Sequence, residues 1–370
     1  MKLLFIFGTR PEAIKMAPLI LKAKSDPSFD VKICVTGQHK EMLFQVLDFF
    51  DIKPDHNIDI MTHNQTLFDL TAGILQGLKP IFEQEKPDMV LVQGDTTTAF
   101  VGALASFYMQ VPVIHIEAGL RSHNKLSPFP EEINRSLAGH LAKFHFAPTI
   151  MAKENLLREG INETSIHIVG NTVIDALLLT LTIIKENDEV YSRHFEWLDK
   201  AKRMILVTGH RRESFGEPFR NICRALIEIA DTNNVEIVYP VHLNPNVKGP
   251  VFELLSNHKS IHLIDPLTYP YLVWLMNKAS LILTDSGGIQ EEAPTLGKPV
   301  LVMREVTERI EGIEAGTCKL VGTNYEDILN EANILLSDSN EYDKMAKSAN
   351  PYGDGKASDM ILRIIKETAS

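Results

Sequence analysis

The chain has 370 residues, of which 44% are hydrophobic and 23% are charged, which is typical of a folded protein too long for one hydrophobic core. Its formal net charge of -11 argues against nucleic-acid binding, because contact with a phosphate backbone normally needs a basic face. No apolar run approaches the roughly 20 residues of a membrane-spanning helix, and the apolar start meets Gly8 too early for a signal peptide. We therefore expect a two-domain cytoplasmic protein that binds neither nucleic acid nor membranes.

Short apolar runs rich in β-forming residues alternate with helical patterns in the first half of the chain. They cover residues 3–7, 31–35, 89–92, 111–116, 144–147 and 166–169. Several are apolar on consecutive residues, which favours parallel strands buried on both faces by helices. The pattern predicts an α/β fold with a doubly wound, Rossmann-like sheet.

A second series of such runs begins after a polar, charged stretch at residues 183–202. It covers residues 204–207, 235–239, 261–264, 281–283, 299–303 and 319–321. We predict an N-terminal domain at 1–170 and a C-terminal domain at 171–355, with the amphipathic tail 356–370 packing back on the first. In open α/β sheets ligands bind beyond the carboxyl ends of the strands, so we expect one cleft between two facing domains.

The three cysteines, Cys34, Cys223 and Cys318, are widely spaced and form no C-x-x-C pair. No histidine cluster lies near them that would indicate a metal site. We therefore predict buried thiols and no bound metal.

The turn after the first predicted strand places two cations, Arg10 and Lys15, at the start of a helix whose first turn suits Pro11. It lacks the G-x-G-x-x-G of a dinucleotide-binding fold, which argues against a nicotinamide enzyme. From the spacing alone, both cations could equally be solvated on a helix surface.

A buried strand in the second series ends in Thr284-Asp285-Ser286-Gly287-Gly288, and a helix follows from Ile289. Free N–H groups at a helix start bind phosphate, and two glycines let a diphosphate approach the backbone. A carboxylate one turn later, Glu292, could accept both hydroxyls of a ribose. The alternative is a plain turn followed by acidic residues that the helix dipole favours.

Three carboxylates, Asp95, Glu117 and Glu131, follow strands of the first domain and could act as acid and base. Asp95 could instead cap the helix starting at Thr96, and Glu131 could pair with Arg135. Glu117 has no obvious capping role.

In the second domain, His210 and His242 follow the first two strands and could contact phosphate or move a proton. Arg309 is a further candidate ligand for phosphate or hydroxyl groups. Taken singly, each histidine could also be structural or solvated.

Together these motifs resemble those of the non-hydrolysing UDP-N-acetylglucosamine 2-epimerases, in the family's order and along essentially the whole chain. The motifs that carry the resemblance are residues 7–15, 37–39, 94–96, 117–121, 130–135, 210–213 and 284–292. The resemblance implies a GT-B-like fold, a homodimer and no cofactor. It also implies reversible conversion of UDP-N-acetylglucosamine to UDP-N-acetylmannosamine, through elimination of UDP and a 2-acetamidoglucal intermediate, for surface polysaccharide synthesis.

The resemblance also implies roles for individual residues. It places Asp95, Glu117 and Glu131 in the acid–base set, without dividing the roles among them. The resemblance also gives a set of residues that would bind the nucleotide sugar, and His210 among them is a catalytic candidate as well. The set is Arg10, Lys15, Asp95, Glu117, His210, Ser286, Gly287, Gly288, Glu292 and Arg309.

The chain departs from several relatives near the uracil and near a second substrate site. Leu267 and Leu272 stand where those relatives carry a glutamine and an aromatic residue, so contacts there would have to come from backbone groups. Gln38 and His242 fit the regulatory site at which a second substrate molecule activates some bacterial members. Asn64 stands where those members carry a basic residue.

Two other functions fit the same fold, because fold does not determine function. A glycosyltransferase would keep the uridine-diphosphate site but need an acceptor, and a nucleotide-sugar sensor would bind without turnover. The number of carboxylates disfavours a sensor.

Overall fold

The computed structural model describes residues 1–37, 40–61 and 65–369. The chain divides into two compact units, Met1–Ala176 together with Tyr352–Ser370, and Leu177–Pro351. Unit 1 and unit 2 denote these two parts below. We expected the domain boundary near residue 170. The chain instead passes from unit 1 to unit 2 between Ala176 and Leu177, inside the helix Thr172–Glu186.

Unit 1 contains a seven-stranded parallel sheet with the order β3-β2-β1-β4-β5-β6-β7. Its strands are β1 (Lys2–Phe7), β2 (Asp30–Val35), β3 (His56–Asn57), β4 (Met89–Gln93), β5 (Val113–Ile116), β6 (Phe144–Ala147) and β7 (Ile166–Ile168). Its helices are α1 (Arg10–Ser25), α2 (Lys40–Phe49), α3 (Leu67–Glu85), α4 (Thr97–Tyr108), α5 (Glu131–Leu141) and α6 (Ile150–Arg158), and α7 (Thr172–Glu186) crosses into unit 2.

Unit 2 contains a six-stranded parallel sheet with the order β10-β9-β8-β11-β12-β13. Its strands are β8 (Arg203–Thr208), β9 (Val235–Pro240), β10 (Ile261–Ile264), β11 (Leu281–Thr284), β12 (Val300–Val302) and β13 (Cys318–Leu320). Its helices are α8 (Asp188–His194), α9 (Glu217–Thr232), α10 (Pro245–Leu255), α11 (Tyr269–Lys278), α12 (Gly287–Glu292), α13 (Ile310–Glu314), α14 (Tyr325–Ser337) and α15 (Ser339–Ala346).

The predicted α/β class with two doubly wound parallel sheets is confirmed. Strands buried on both faces explain the consecutive apolar runs, because all five residues of β4 are buried. All three cysteine thiols are free and buried, as predicted. Among the described residues, no helix is both long and apolar enough to cross a membrane.

After unit 2 the chain returns to unit 1 and forms its last helix, α16 (Ala357–Ala369). The carboxylate of Asp175, on α7, accepts hydrogen bonds from the backbone N–H groups of Ala357 and Ser358, at 3.2 and 2.8 Å. These bonds satisfy donors at a helix start that otherwise lack partners. Ion pairs from Lys22 and Lys366 then join α16 to α1 and to the turn after it.

Gly119 follows β5 in a conformation that only glycine adopts easily. Its φ is +94°, and a Cβ atom there would lie 2.2 Å from the carbonyl oxygen of Ala152. The Glu117–Gly119 turn can therefore pack against α6 only because this side chain is absent.

We predict that Gly119→Ala destabilises the protein by about 2 kcal/mol, because backbone strain and a steric clash combine. The measurement is thermal unfolding of the variant beside Gly73→Ala. A Cβ at Gly73, in α3, would meet no atom closer than 3.7 Å, and alanine favours a helix more than glycine does, so this control should unfold at or above the melting temperature of the parent. Equal melting temperatures for both variants would contradict the prediction.

Candidate functional site

The candidate residues of unit 1 follow three neighbouring strands. Arg10 comes after β1, Asp95 after β4 and Glu117 after β5, and these strands are adjacent in the order β1-β4-β5. The order of the strands reverses beside β1, where doubly wound sheets bind their ligands. Arg10 is partly buried, and this burial lowers the pKa of its guanidinium, so the cation is not fully solvated.

The Glu117 carboxylate is enclosed by donors. Lys15 Nζ lies 2.5 Å from its Oε1, and Asn171 Nδ2 donates to the same oxygen at 2.9 Å. Gln93 Nε2 donates to Oε2. Only 14% of the Lys15 side chain is exposed, so the alternative of a solvated lysine is wrong.

The backbone at Glu117 is also unusual. Its φ of +61° lies in the left-handed region, which non-glycine residues adopt at a cost. This conformation turns the chain at the end of β5 and places the carboxylate among its donors. A strained residue held by several side chains is typical of functional sites.

Asp95 does not cap a helix. Thr96 is the N-cap of α4 and its side chain accepts a hydrogen bond from the Ala99 N–H, whereas the Asp95 carboxylate pairs with Arg135 Nη2 at 2.6 Å. Asn134 Nδ2 donates to the Asp95 carbonyl oxygen at 3.0 Å. The capping alternative for Asp95 is therefore wrong.

The pKa of Asp95 is raised, chiefly by burial. Arg135 opposes this shift, and the negative charges of Glu117 and Glu131 add to it. The charges of Glu117 and Glu131 thus act on Asp95, so the protonation of Asp95 is coupled to both of the other predicted carboxylates. Asp95 therefore keeps its proton to a higher pH than a solvated aspartate does.

Glu131 is the first residue of α5 and is partly exposed. The alternative that Glu131 pairs with Arg135 is wrong, because Arg135 forms ion pairs with Asp95 and with Glu132. Glu132 in turn accepts hydrogen bonds from the backbone N–H groups of Ser122 and His123. Arg135 is thus part of the framework around Asp95.

In unit 2, Asp285 organises the loop that carries His210. Its Oδ2 accepts hydrogen bonds from the backbone N–H groups of His210 and Arg211, at 2.6 and 2.7 Å. His210 Nδ1 lies 3.3 Å from Oδ1. Burial would raise the pKa of Asp285, but these bonds and the charge of His210 outweigh it, and the pKa is lowered.

The turn after β11 differs in one respect from expectation. Helix α12 begins at Gly287, two residues earlier than predicted, and Ser286 is its N-cap. A Cβ on Gly287 would lie 3.2 Å from the Arg309 guanidinium carbon, whereas one on Gly288 would meet nothing closer than 3.7 Å. Arg309 therefore lies against the helix start, where its Nε donates to Glu291 at 2.8 Å.

The ribose candidate, Glu292, is buried and oriented by a residue that the sequence did not reveal. Tyr269 donates its hydroxyl to Glu292 Oε2 at 2.6 Å. Leu267 and Leu272 flank Tyr269 in the chain and are partly buried. The backbone N–H of Leu272 donates to the carbonyl oxygen of Thr268, the N-cap of α11, at 3.1 Å. Backbone contacts to uracil stay a prediction.

His242, predicted for a second substrate site, is in contact with His210. Their rings stack with centroids 5.3 Å apart and an interplanar angle of 17°. Burial first, and then the charge of His210, lower the pKa of His242. The other two residues considered for that site, Gln38 and Asn64, lie outside the described residues.

Five side chains around these sites were missed as site residues. They are Gln93, Arg135, Asn171, Tyr269 and Asp285. Asn171 offered one signal, since an asparagine before the helical pattern at Thr172 indicates an N-cap. Within the described part of the chain, no group of three or more His, Cys, Asp and Glu side chains could hold a metal ion.

The chain is similar to known proteins along nearly its whole length. The model of the UDP-N-acetylglucosamine 2-epimerase family matches residues 21–366. The Escherichia coli K12 protein named UDP-N-acetylglucosamine 2-epimerase is 56% identical over 99% of this chain and 98% of its own.

Solved structures are similar over the same extent. The Neisseria meningitidis UDP-GlcNAc 2-epimerase bound to UDP-GlcNAc has a TM-score of 0.92 at 48% identity, covering 99% of this chain and 100% of that one. The Methanocaldococcus jannaschii enzyme in complex with UDP-GlcNAc and UDP has a TM-score of 0.83 at 37% identity, with coverages of 99% and 100%. This chain belongs to the UDP-N-acetylglucosamine 2-epimerase family.

Proposed function

We propose that this chain interconverts UDP-N-acetylglucosamine and UDP-N-acetylmannosamine without a metal or a nicotinamide cofactor. The observation that carries the proposal is the group of carboxylates at the strand ends of unit 1, in which Lys15 lies 2.5 Å from Glu117 and the charges of Glu117 and Glu131 act on Asp95. The E. coli relative and the bound ligand of the N. meningitidis structure support the choice of substrate.

The chemistry explains why the reaction needs such a group of carboxylates. Carbon 2 of the sugar carries a nitrogen and has no neighbouring carbonyl, so its proton is too weakly acidic for simple removal and return. Elimination of UDP across carbons 1 and 2 gives 2-acetamidoglucal, and UDP adds back while a proton reaches carbon 2 from the other face. The reaction therefore requires a base, an acid and a cationic environment for UDP.

The environments of Asp95 and Glu117 support different roles. Glu117 accepts hydrogen bonds from Lys15, Gln93 and Asn171, which favour its charged form and suit a base. The raised pKa of Asp95 suits a group that delivers a proton. Glu131 would assist, since its charge contributes to that raised pKa.

Unit 2 supplies groups that suit the nucleotide. We place the diphosphate beside Ser286, Gly287 and Gly288, where Arg309 offers a positive charge. His210, held by Asp285, suits contact with the departing UDP. Glu292, oriented by Tyr269, suits the ribose hydroxyls, and Leu267 lies where the uracil is expected.

Two expectations extend beyond the reaction itself. That the protein works in the cytoplasm, and that its product is used to build a surface polysaccharide, stay predictions. A homodimer is supported by large apolar side chains exposed on α3, α4 and α5, which pack side by side. Those side chains are Phe68, Phe107, Tyr108 and Leu137.

The direct test is incubation of the protein with UDP-N-acetylglucosamine alone in heavy water, followed by NMR of the sugar. We expect UDP-N-acetylmannosamine carrying deuterium at carbon 2, because the proton is removed and returned on opposite faces by groups that exchange with solvent. Product that retained all its hydrogen would contradict this acid–base pair. A glycosyltransferase would form no isomer without an acceptor, and a sensor would bind the substrate unchanged.

Replacement of Gly288 tests the diphosphate position. We predict that Gly288→Val weakens UDP binding about tenfold or more. The valine side chain would overlap the space that we assign to the diphosphate, and steric overlap of this kind costs roughly 1–3 kcal/mol. The fold should survive, since a Cβ there has only ordinary contacts. Calorimetric titration with UDP and thermal unfolding measure the two effects, with Gly288→Ala expected between parent and valine. Unchanged UDP affinity in a folded valine variant would rule out this position.

Charge introduced on the apolar face of unit 1 tests the dimer. We expect Phe107→Glu to halve the mass found by sedimentation, because a carboxylate would be buried without a partner. Ile150, on α6, is also exposed, so Ile150→Glu is the matched control and should leave the mass unchanged. A parent protein that sediments as a monomer would contradict the homodimer.

A further inference from the structure

Asn171, like Gln93, donates to Glu117 although no sequence motif indicated it as a site residue. It lies one residue before α7 and is buried. Its Nδ2 is 2.9 Å from Glu117 Oε1, the same oxygen that Lys15 contacts. A neutral amide here adds a fixed hydrogen bond without adding a second mobile charge.

The orientation of the Asn171 amide is determined by its other contact. Its Oδ1 accepts a hydrogen bond from the backbone N–H of Val173 at 3.1 Å. A carbonyl oxygen must face that N–H, because the amide nitrogen cannot accept one. The NH2 group is therefore directed at Glu117, and the first turn of α7 fixes the donor in place.

The backbone of Asn171 is held as well. Its N–H donates to the carbonyl oxygen of Tyr352 at 2.7 Å, and Tyr352 is the first residue of the segment that returns to unit 1. The neighbouring Gly170, with φ +85°, allows this approach, since a Cβ there would lie 3.1 Å from the same oxygen. Three separate interactions thus fix the position of one amide group.

We propose that Asn171 is a positioning residue for the reaction, which holds the Glu117 carboxylate in its ionised form and in the orientation that faces carbon 2. The proposal rests on the proposed function, because it takes Glu117 as the base. Asn171 itself need not touch substrate. Its contribution is geometric and electrostatic, and a misplacement of about 1 Å can cost roughly a hundredfold in rate.

Asn171→Asp is the test variant, because aspartate caps helices as well as asparagine does and keeps the bond to Val173. It replaces the donor to Glu117 with a second acceptor. We expect kcat to fall about ten- to a hundredfold, with affinity for UDP, which we place on unit 2, within twofold of the parent. The acidic limb of the pH–kcat profile should move to higher pH, because Glu117 loses a donor that favours its charged form.

Two further variants separate this role from simple loss of structure. Asn171→Ser keeps a capping oxygen but cannot reach Glu117, so it should lower kcat without repulsion between carboxylates. Asn155 is a second buried asparagine of unit 1, whose Nδ2 donates to the Gly119 carbonyl oxygen at 3.0 Å. Asn155→Ser is the matched control and should keep the pH profile of the parent, whatever its effect on stability.

The outcomes are distinguishable. A parent protein that forms no UDP-N-acetylmannosamine contradicts the proposed function. An active parent whose Asn171→Asp and Asn171→Ser variants keep its kcat and pH profile overturns the positioning role alone. Loss of kcat with an unchanged acidic limb in both folded variants also overturns it, because the donor would then have no effect on the carboxylate.

Discussion

A carboxylate removed from water needs donors and cations in place of its lost hydration, and Glu117 obtains them from Lys15, Gln93 and Asn171. The left-handed backbone at Glu117 and the close packing at Gly119 are the local geometry that this arrangement requires. The same constraint acts on Asp95, whose partner Arg135 only partly offsets burial. Unit 1 thus holds one carboxylate enclosed by three donors and one carboxyl group whose pKa is raised by burial, and the proposed proton transfers depend on that difference.

Unit 2, where we propose that the diphosphate binds, needs backbone donors that an anion can reach. The Asp285 carboxylate accepts backbone hydrogen bonds that order the loop carrying His210. Helix α12 begins at two glycines, which have no side chains to cover the backbone N–H groups at its start. Arg309 is held against this helix start by its hydrogen bond to Glu291. Positive groups arranged in advance lose little on binding, which is the general advantage of preorganisation.

Much of the fold could be predicted from the sequence, because a strand buried on both faces is recognisable as a run of consecutive apolar residues. Every predicted run overlaps a strand, whereas the two-residue β3, formed by His56 and Asn57, has no apolar signal at all. The polar, charged stretch at residues 183–202 was assigned no helix or strand, yet it contains α8, because a short polar helix carries little apolar periodicity. Strand ends and turn motifs therefore indicated Asp95, Glu117 and Gly288 correctly as neighbours of their sheet edges.

The partners of those residues were not predictable, because the contacts join distant parts of the chain. Asn171 meets Glu117, and Tyr269 meets Glu292, only through the fold. Arg135 was read as a neighbour of Glu131 along the helix, where local spacing is the only guide. Its ion pair with Asp95 spans two elements, and no periodicity in the sequence records it.

The return of α16 to unit 1 has a consequence for biosynthesis. Asp175 and Lys22 can make their bonds to this helix only after every residue of unit 2 has been added to the chain. On the ribosome, unit 2 can therefore finish folding before the unit that was started first. Until α16 emerges, the exposed side of α1 lacks its partner, and this is the interval in which a nascent chain would be most open to chaperone binding.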